Sequence, residues 1–170
     1  MRAAEKAWDR LTRGVVTEQT FCRVSGFLKD EFVKPGKVCH ITGSRDLHHR
    51  VFFERYISRL DALMRVYPPT ACIGSNGTET GSLLSQLQRF PNFIETDHTA
   101  WDLHVSGQLL EALNDEYRRI FEVPSQDAYY FDLVLKSYLK SNWTFRNGIT
   151  YTLSGTRVSG DVDTTAGNSL

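Results

Sequence analysis

Two aspartates five positions apart, Asp97 and Asp102, lie in the run Asp97-His98-Thr99-Ala100-Trp101-Asp102, directly after the compact strand signal Phe93-Ile94-Glu95-Thr96. A carboxylate ending a buried strand, with a second one close by, suits a divalent cation. Mg²⁺ takes carboxylate oxygens together with substrate phosphates rather than a complete protein cage. Two such ions can clamp the attacking and leaving oxygens of a phosphoryl transfer. The same spacing also serves aspartates that only cap a strand-to-helix turn. A second group is Ser159-Gly160-Asp161-Val162-Asp163-Thr164-Thr165-Ala166-Gly167-Asn168. Its glycines let the backbone approach a ligand closely. A helix starting there sets Thr164 and Asn168 on one face, where a hydroxyl and an amide can hydrogen-bond a sugar hydroxyl. A loop that caps an ordinary helix has the same composition. The third group is basic: Lys29, Lys34, Lys37, Arg45 and Arg50, interleaved with Phe27, Phe32 and His49. Such a run can hold triphosphate or a nucleic-acid backbone, or form a solvated face.

Other chemistries find little support. His40, His48, His49, His98 and His104 show no paired spacing for zinc. Cys22, Cys39 and Cys72 are scattered without a CxxC pair, which argues against a disulfide framework and fits a reducing compartment. No Walker A loop, GxGxxG fingerprint or GxSxG elbow occurs.

The 170 residues are 41% apolar, enough to bury a core, and no stretch approaches the ~20 apolar residues of a membrane span. The N-terminus is charged and amphipathic, unlike a secretory signal. Net charge is zero but uneven. Residues 1–66 carry 13 Lys/Arg against 8 Asp/Glu, whereas residues 67–135 carry 3 against 10. That asymmetry fits a polyanion on one side and a cation on the other, or two solvated surfaces of opposite sign.

The elements that must position these groups read as α+β. A helix is expected over residues 3–13. Another covers 46–66, with Leu47, Val51, Ile57, Leu60 and Met64 at helical spacing, Asp46 as N-cap and Tyr67-Pro68-Pro69 as stop. A loop from Gly74 to Gly81 leads to a short helix near 81–89. A helix at 103–121 presents Val105, Leu109, Leu113, Tyr117 and Ile120 on one face. Pro124-Ser125 opens the next, with Ala128, Phe131, Leu135 and Tyr138 inward. Trp143 to Arg146 and Ile149 to Thr152 flank Asn147-Gly148 as a β-hairpin with a type I′ turn. The segment from Ser154 turns helical only at its end. Asn168-Ser169-Leu170 carries no helix C-cap, which is read as truncation.

Order and spacing turn these groups into a resemblance. Asp97-x4-Asp102 followed by Ser159-Gly160-x3-Thr164-x3-Asn168 resembles motifs A and B of positive-strand RNA virus RNA-directed RNA polymerases. Thr96 to Ser106, with His104-Val105-Ser106 after the second aspartate, resembles the tombusvirus and nodavirus type. Gly74-Ser75-Asn76 and Gly81 resemble that group's segment before motif A. Phe27 to Glu31 and Lys34-Pro35-Gly36-Lys37 resemble the basic fingers motif F, with Arg55-Tyr56-Ile57 on the helix after it.

The resemblance implies part of a right-hand polymerase. Residues 1–92 would be a fingers-type segment and 93–170 a partial palm, with motif C and the thumb absent. Asp97 would be catalytic and ligate Mg²⁺ or Mn²⁺, helped by the His98 backbone carbonyl. Asp102, Thr164 and Asn168 would recognise the ribose, while Ser159 and Gly160 would form the motif B loop at the template. Lys29, Lys37 and Arg45 would meet triphosphate or RNA, Arg45 being the residue with a fork. The implied partners are an RNA template, a primer or product strand, nucleoside triphosphates and other viral replication proteins. The implied location is the host cytoplasm, at membrane-associated replication sites. Motif F departs from the usual Lys-Pro-Arg, Asp163 stands where Asn is familiar, and no Gly-Asp-Asp occurs, so these 170 residues are expected to be inactive alone. Two other readings are a non-catalytic RNA-binding module and a reverse-transcriptase-like palm, although the latter places a bulky aromatic where Asp102 stands.

Overall fold

In the computed structural model, the described residues are 2–36, 39–64, 75–94, 96 and 101–167. In chain order they form α1 (Arg2–Thr12), α2 (Glu18–Phe21), β1 (Arg23–Leu28), β2 (Ile41–Arg45), α3 (Leu47–Met64) and α4 (Gly77–Ser85). A 3₁₀ turn (Gln86–Arg89) follows, then α5 (Trp101–His104), α6 (Gly107–Ile120), α7 (Ser125–Leu139), β3 (Lys140–Phe145), β4 (Thr150–Ser154) and α8 (Thr164–Gly167). The α+β class holds.

The four strands make one mixed sheet in the order β2-β1-β3-β4. β1 is antiparallel to β2 and parallel to β3, and β3 and β4 form the expected hairpin. One cross-strand row runs Arg45, Val24, Trp143, Tyr151 on a single face, so the two halves of the chain share one surface. Val24, Trp143 and Val158 are buried there, with Phe145, Tyr151 and Leu153 packed against them. The Trp143 and Tyr151 rings stack at 5.7 Å and 14°.

The larger core is built by the helices and is unusually aromatic. Phe21, Phe52, Phe53, Tyr56, Tyr117, Tyr130, Phe131 and Tyr138 meet in it, with Ile57, Val134 and Leu135. On α3 the buried residues Phe52, Phe53, Tyr56, Ile57 and Leu60 recur at three- and four-residue steps. The Asp46 carboxylate accepts from the His48 backbone N–H at 3.0 Å, the cap expected of it. α7 is buried almost continuously from Tyr130 to Tyr138, because the aromatic core and the sheet lie against it. Each such side chain contributes roughly 1.5–3 kcal/mol on burial.

Several expectations are corrected. Phe93, Ile94 and Thr96 form no strand, and Ile94 is 92% exposed. The apolar run is short and finds no partner strand, so its period cannot be used. The helix at 103–121 is divided: Ser106 accepts from Leu109 N–H and restarts the chain as α6. The buried face of α6 is Leu110, Leu113, Asn114 and Tyr117, while Leu109 and Ile120 are exposed. On α7, Ala128 is exposed rather than inward. The expected loop up to Gly81 is already helical from Gly77, because Asn76 and Glu79 form a capping box. In the hairpin, Gly148 N donates to Phe145 O at 3.0 Å and Phe145 N donates to Ile149 O at 2.9 Å. The loop therefore has three residues, with Gly148 at φ +85, instead of a two-residue type I′ turn. β1 and β2 were not anticipated at all. The expected stop at Tyr67-Pro68-Pro69, together with Gly74 and Cys72, lies outside the described residues.

Candidate functional site

A cleft of about 650 Å³ opens where the sheet, α5 and the segment 156–167 meet. Cys39 and His40, which lead into β2, and Ile41, its first residue, line the cleft, as do Trp101, Asp102 and Leu103. Trp143, Tyr151 and Leu153 of the sheet, with Thr156, Arg157, Ser159 and Thr164, complete the lining. Asp102, Ser159 and Thr164, three of the residues singled out in the sequence, are thus neighbours in space.

Each is held by its backbone. Asp102 lies in the first turn of α5, and its carbonyl accepts from Arg157 N at 3.2 Å. Desolvation pushes its carboxyl above the ordinary value, opposed by the nearby Arg157 charge. A carboxyl so placed accepts a hydrogen bond while water is partly excluded, which suits recognition of a ligand hydroxyl. Thr164 opens α8 and donates its hydroxyl to the Asp161 carbonyl at 2.8 Å, leaving oxygen lone pairs as acceptors. Ser159 is exposed at the rim. Gly160 packs so tightly on β2 that a Cβ would overlap the Gly43 carbonyl oxygen, so no other residue fits without a shift.

Beneath this surface lies a cluster that the spacing did not reveal. Arg45 donates from Nε to Asp161 Oδ1 at 2.6 Å and from Nη2 to Oδ2 at 3.3 Å, and its Nη1 donates to the Ser137 carbonyl at 2.8 Å. Asp163 accepts from Tyr117 OH at 2.7 Å and Tyr138 OH at 2.9 Å, and pairs with Arg157 Nη2 at 3.0 Å. Arg45, Asp161 and Asp163 have side chains with no solvent exposure, and Arg157 has 1%. Burial, and then the Asp163 charge, push both tyrosine hydroxyls well above their ordinary value, so they stay protonated and donate. The Asp-x-Asp spacing places both carboxylates inward, but only the three-dimensional structure supplies their partners.

The remaining expected residues fall as follows. Arg45, expected to meet a triphosphate, has its fork enclosed by Asp161 and Ser137 and closed to solvent: as folded it is a structural cation. The reason is that β2 aims it at the inner side of the 159–163 segment. Lys29 is exposed at the β1–β2 hairpin, with its backbone N–H bonded to the His40 carbonyl at 2.9 Å and its ammonium 3.0 Å from Glu31. Glu31 in turn contacts His40, a residue of the cleft lining. Lys37, Asp97, His98 and Asn168 lie outside the described residues. Among the described residues, no group of three or more His, Cys, Asp or Glu is placed to hold a metal ion. Nor is any described helix long and apolar enough to cross a membrane.

No protein-family model matches the chain. It is 30% identical over 168 residues to the RNA-directed RNA polymerase of Groundnut rosette virus (strain MC1), covering 86% of this chain and 19% of that protein. It is 31% identical over 150 residues to the RNA-directed RNA polymerase of Pothos latent virus (isolate Pigeonpea/India), covering 81% of this chain and 20% of that protein. The chain spans about a fifth of the length of these curated relatives. The resemblance read from the motifs is matched by the sequence at large: through most of its length, this chain is similar to a segment of viral RNA-directed RNA polymerases.

Proposed function

We propose that these residues form parts of the fingers and palm of an RNA-directed RNA polymerase and that the cleft receives the ribose of an incoming nucleoside triphosphate. The observation that carries the reading is the meeting of Asp102 with Ser159 and Thr164 in one cleft, although they are far apart in the chain. In template-directed nucleotidyl transfer the protein's main contributions are positioning and electrostatic stabilisation. Asp102 and Thr164, with Asn168, would hold the 2′-hydroxyl. Ser159 and Gly160 would support the template strand, and Lys29, with Lys37, would attract the triphosphate. Asp97 would supply a carboxylate, with the His98 carbonyl, to Mg²⁺ or Mn²⁺, which when bound stabilises charge on the transferring phosphoryl group. RNA, nucleoside triphosphates and other viral replication proteins are the proposed partners, in genome replication in the host cytoplasm.

The test is steady-state incorporation by a polymerase polypeptide carrying this segment. Asp97→Asn is expected to abolish turnover nearly completely. Asp102→Asn is expected to preserve most turnover while narrowing the preference for NTP over dNTP by about ten- to a hundredfold, the worth of one or two hydrogen bonds at a site built for a hydroxyl. Unchanged sugar preference in Asp102→Asn sinks the ribose assignment. The 170 residues contain no Gly-Asp-Asp, so alone they are expected to incorporate no nucleotide; template-dependent incorporation by them refutes that.

A further inference from the structure

We infer that the buried Arg45–Asp161 pair is a positioning device that fixes the width of the cleft and, through it, the selection of the sugar. This rests on the polymerase reading above. The pair ties together two of the segments that contribute residues to the cleft lining. Arg45 ends β2, whose first residue Ile41 lines the cleft together with Cys39 and His40 before it, and Asp161 lies between Ser159 and Thr164, which line it as well. Both side chains are fully enclosed, and the contact is two-pronged, 2.6 Å and 3.3 Å. A fork on a carboxylate fixes rotation as well as distance, which a lysine ammonium cannot do.

Two further contacts transmit that geometry to the cleft surface. The Thr164 hydroxyl donates to the carbonyl of Asp161 itself, so the ion pair and a cleft hydroxyl share one residue. Gly160, next to Asp161, rests its backbone on Gly43 of β2, so the loop and the strand meet without a side chain between them. A buried ion pair is weak evidence for stability, because desolvation offsets its attraction, and register is its best-supported use. Here the register is that of a loop against a strand 116 positions away in sequence.

The test uses the polymerase polypeptide carrying this segment, with KM, kcat and NTP/dNTP preference measured beside the thermal midpoint. Arg45→Lys keeps the charge and removes the fork. It is expected to raise KM for NTP about tenfold and narrow the sugar preference by a similar factor, with kcat within about threefold, because displacements under ~1 Å cost up to a hundredfold. Asp161→Glu is expected to move the same two quantities. If either single variant fails to fold, the apolar pair Arg45→Met with Asp161→Leu carries the same readouts. Folded variants that keep the parent's KM and sugar preference overturn the inference. So do variants whose kcat alone falls, in step with the folded fraction. A parent that incorporates no nucleotide sinks the polymerase reading and this inference with it; an active parent with indifferent variants sinks the inference alone.

Discussion

Two clusters of paired charges sit at the two ends of the β1–β2 hairpin, and they are built from the same chemistry. At one end Lys29, Glu31 and His40 meet near solvent, with the lysine side chain 57% exposed. At the other, Arg45, Asp161, Arg157, Asp163, Tyr117 and Tyr138 form a network with almost no exposure. In the outer cluster the hydrogen bond from Lys29 holds the Glu31 carboxyl below its ordinary value, yet water and salt screen the contact. In the inner cluster every charge must be answered by a partner, because each is expensive to leave alone. The difference teaches that solvent, rather than the pairing itself, decides whether an ion pair sets geometry. The inner cluster fixes a loop against β2; the outer one, screened by water, adds little to the geometry of the hairpin tip.

The comparison breaks most directly at Asp163. Asp163→Ala leaves the Arg157 guanidinium buried and two tyrosine hydroxyls without their acceptor, and is expected to cost about 3–5 kcal/mol in urea denaturation. A loss below about 1 kcal/mol would mean the inner network behaves like a surface pair. Tyr138→Phe removes one of the three donors and is expected to cost about 1.5–3 kcal/mol, the value of a hydrogen bond to a charged group.

His49 sharpens the contrast from the other side, since it is buried with neither ring nitrogen bonded. Burial, reinforced by the charges of Arg45 and Arg50, holds it well below its ordinary value. His49→Leu is therefore expected to stabilise the fold by about 1–2 kcal/mol. The sign with pH follows. The unfolded chain binds a proton here below about pH 6.5 and the folded chain does not, so stability falls on acidification by up to about 1.4 kcal/mol per unit. Denaturation midpoints between pH 7 and pH 5 should show that contribution in the parent and lose it in His49→Leu. The smallest effect is expected outside: Glu31→Gln should leave the midpoint unchanged at high salt, and a clear drop there would erase the distinction between the two clusters.

Much of the helical scaffold was legible because its signals are local. Ile57 and Leu60 on α3, the Asp46 cap and the turn at Asn147-Gly148 act over four residues or fewer, although Leu47, expected on the same face as Ile57, is exposed. The first half of the sheet was not legible. β1 reads Arg-Val-Ser-Gly-Phe-Leu, with a glycine that the ring of Phe145 covers, at 2.5 Å from where a Cβ would stand. Nothing within the segment announces that partner. The run at Phe93-Ile94 misled for the same reason: strand propensity means little without a neighbour to pair with. At the cleft, Asp102, Ser159 and Thr164 had been singled out by motif spacing, and all three line it. The enclosure of Arg45 was missed because a basic residue near other basic residues reads as surface, and its answering carboxylate lies 116 positions on.

The parallel pairing of β1 with β3 has a consequence for how the chain is made. Arg23 pairs with Asn142, so β1 leaves the ribosome long before the strand it needs. At about 5–20 residues per second, that wait is on the order of 6–24 s. Throughout it, the β1–β2 hairpin presents an open edge and the ring-covered glycine has no ring above it. Such an edge is a template for pairing with any extended chain nearby. Synthesis at high local density on polysomes would therefore favour misassembly between nascent copies, and chaperone binding to the first hundred residues would do most of its good in that interval.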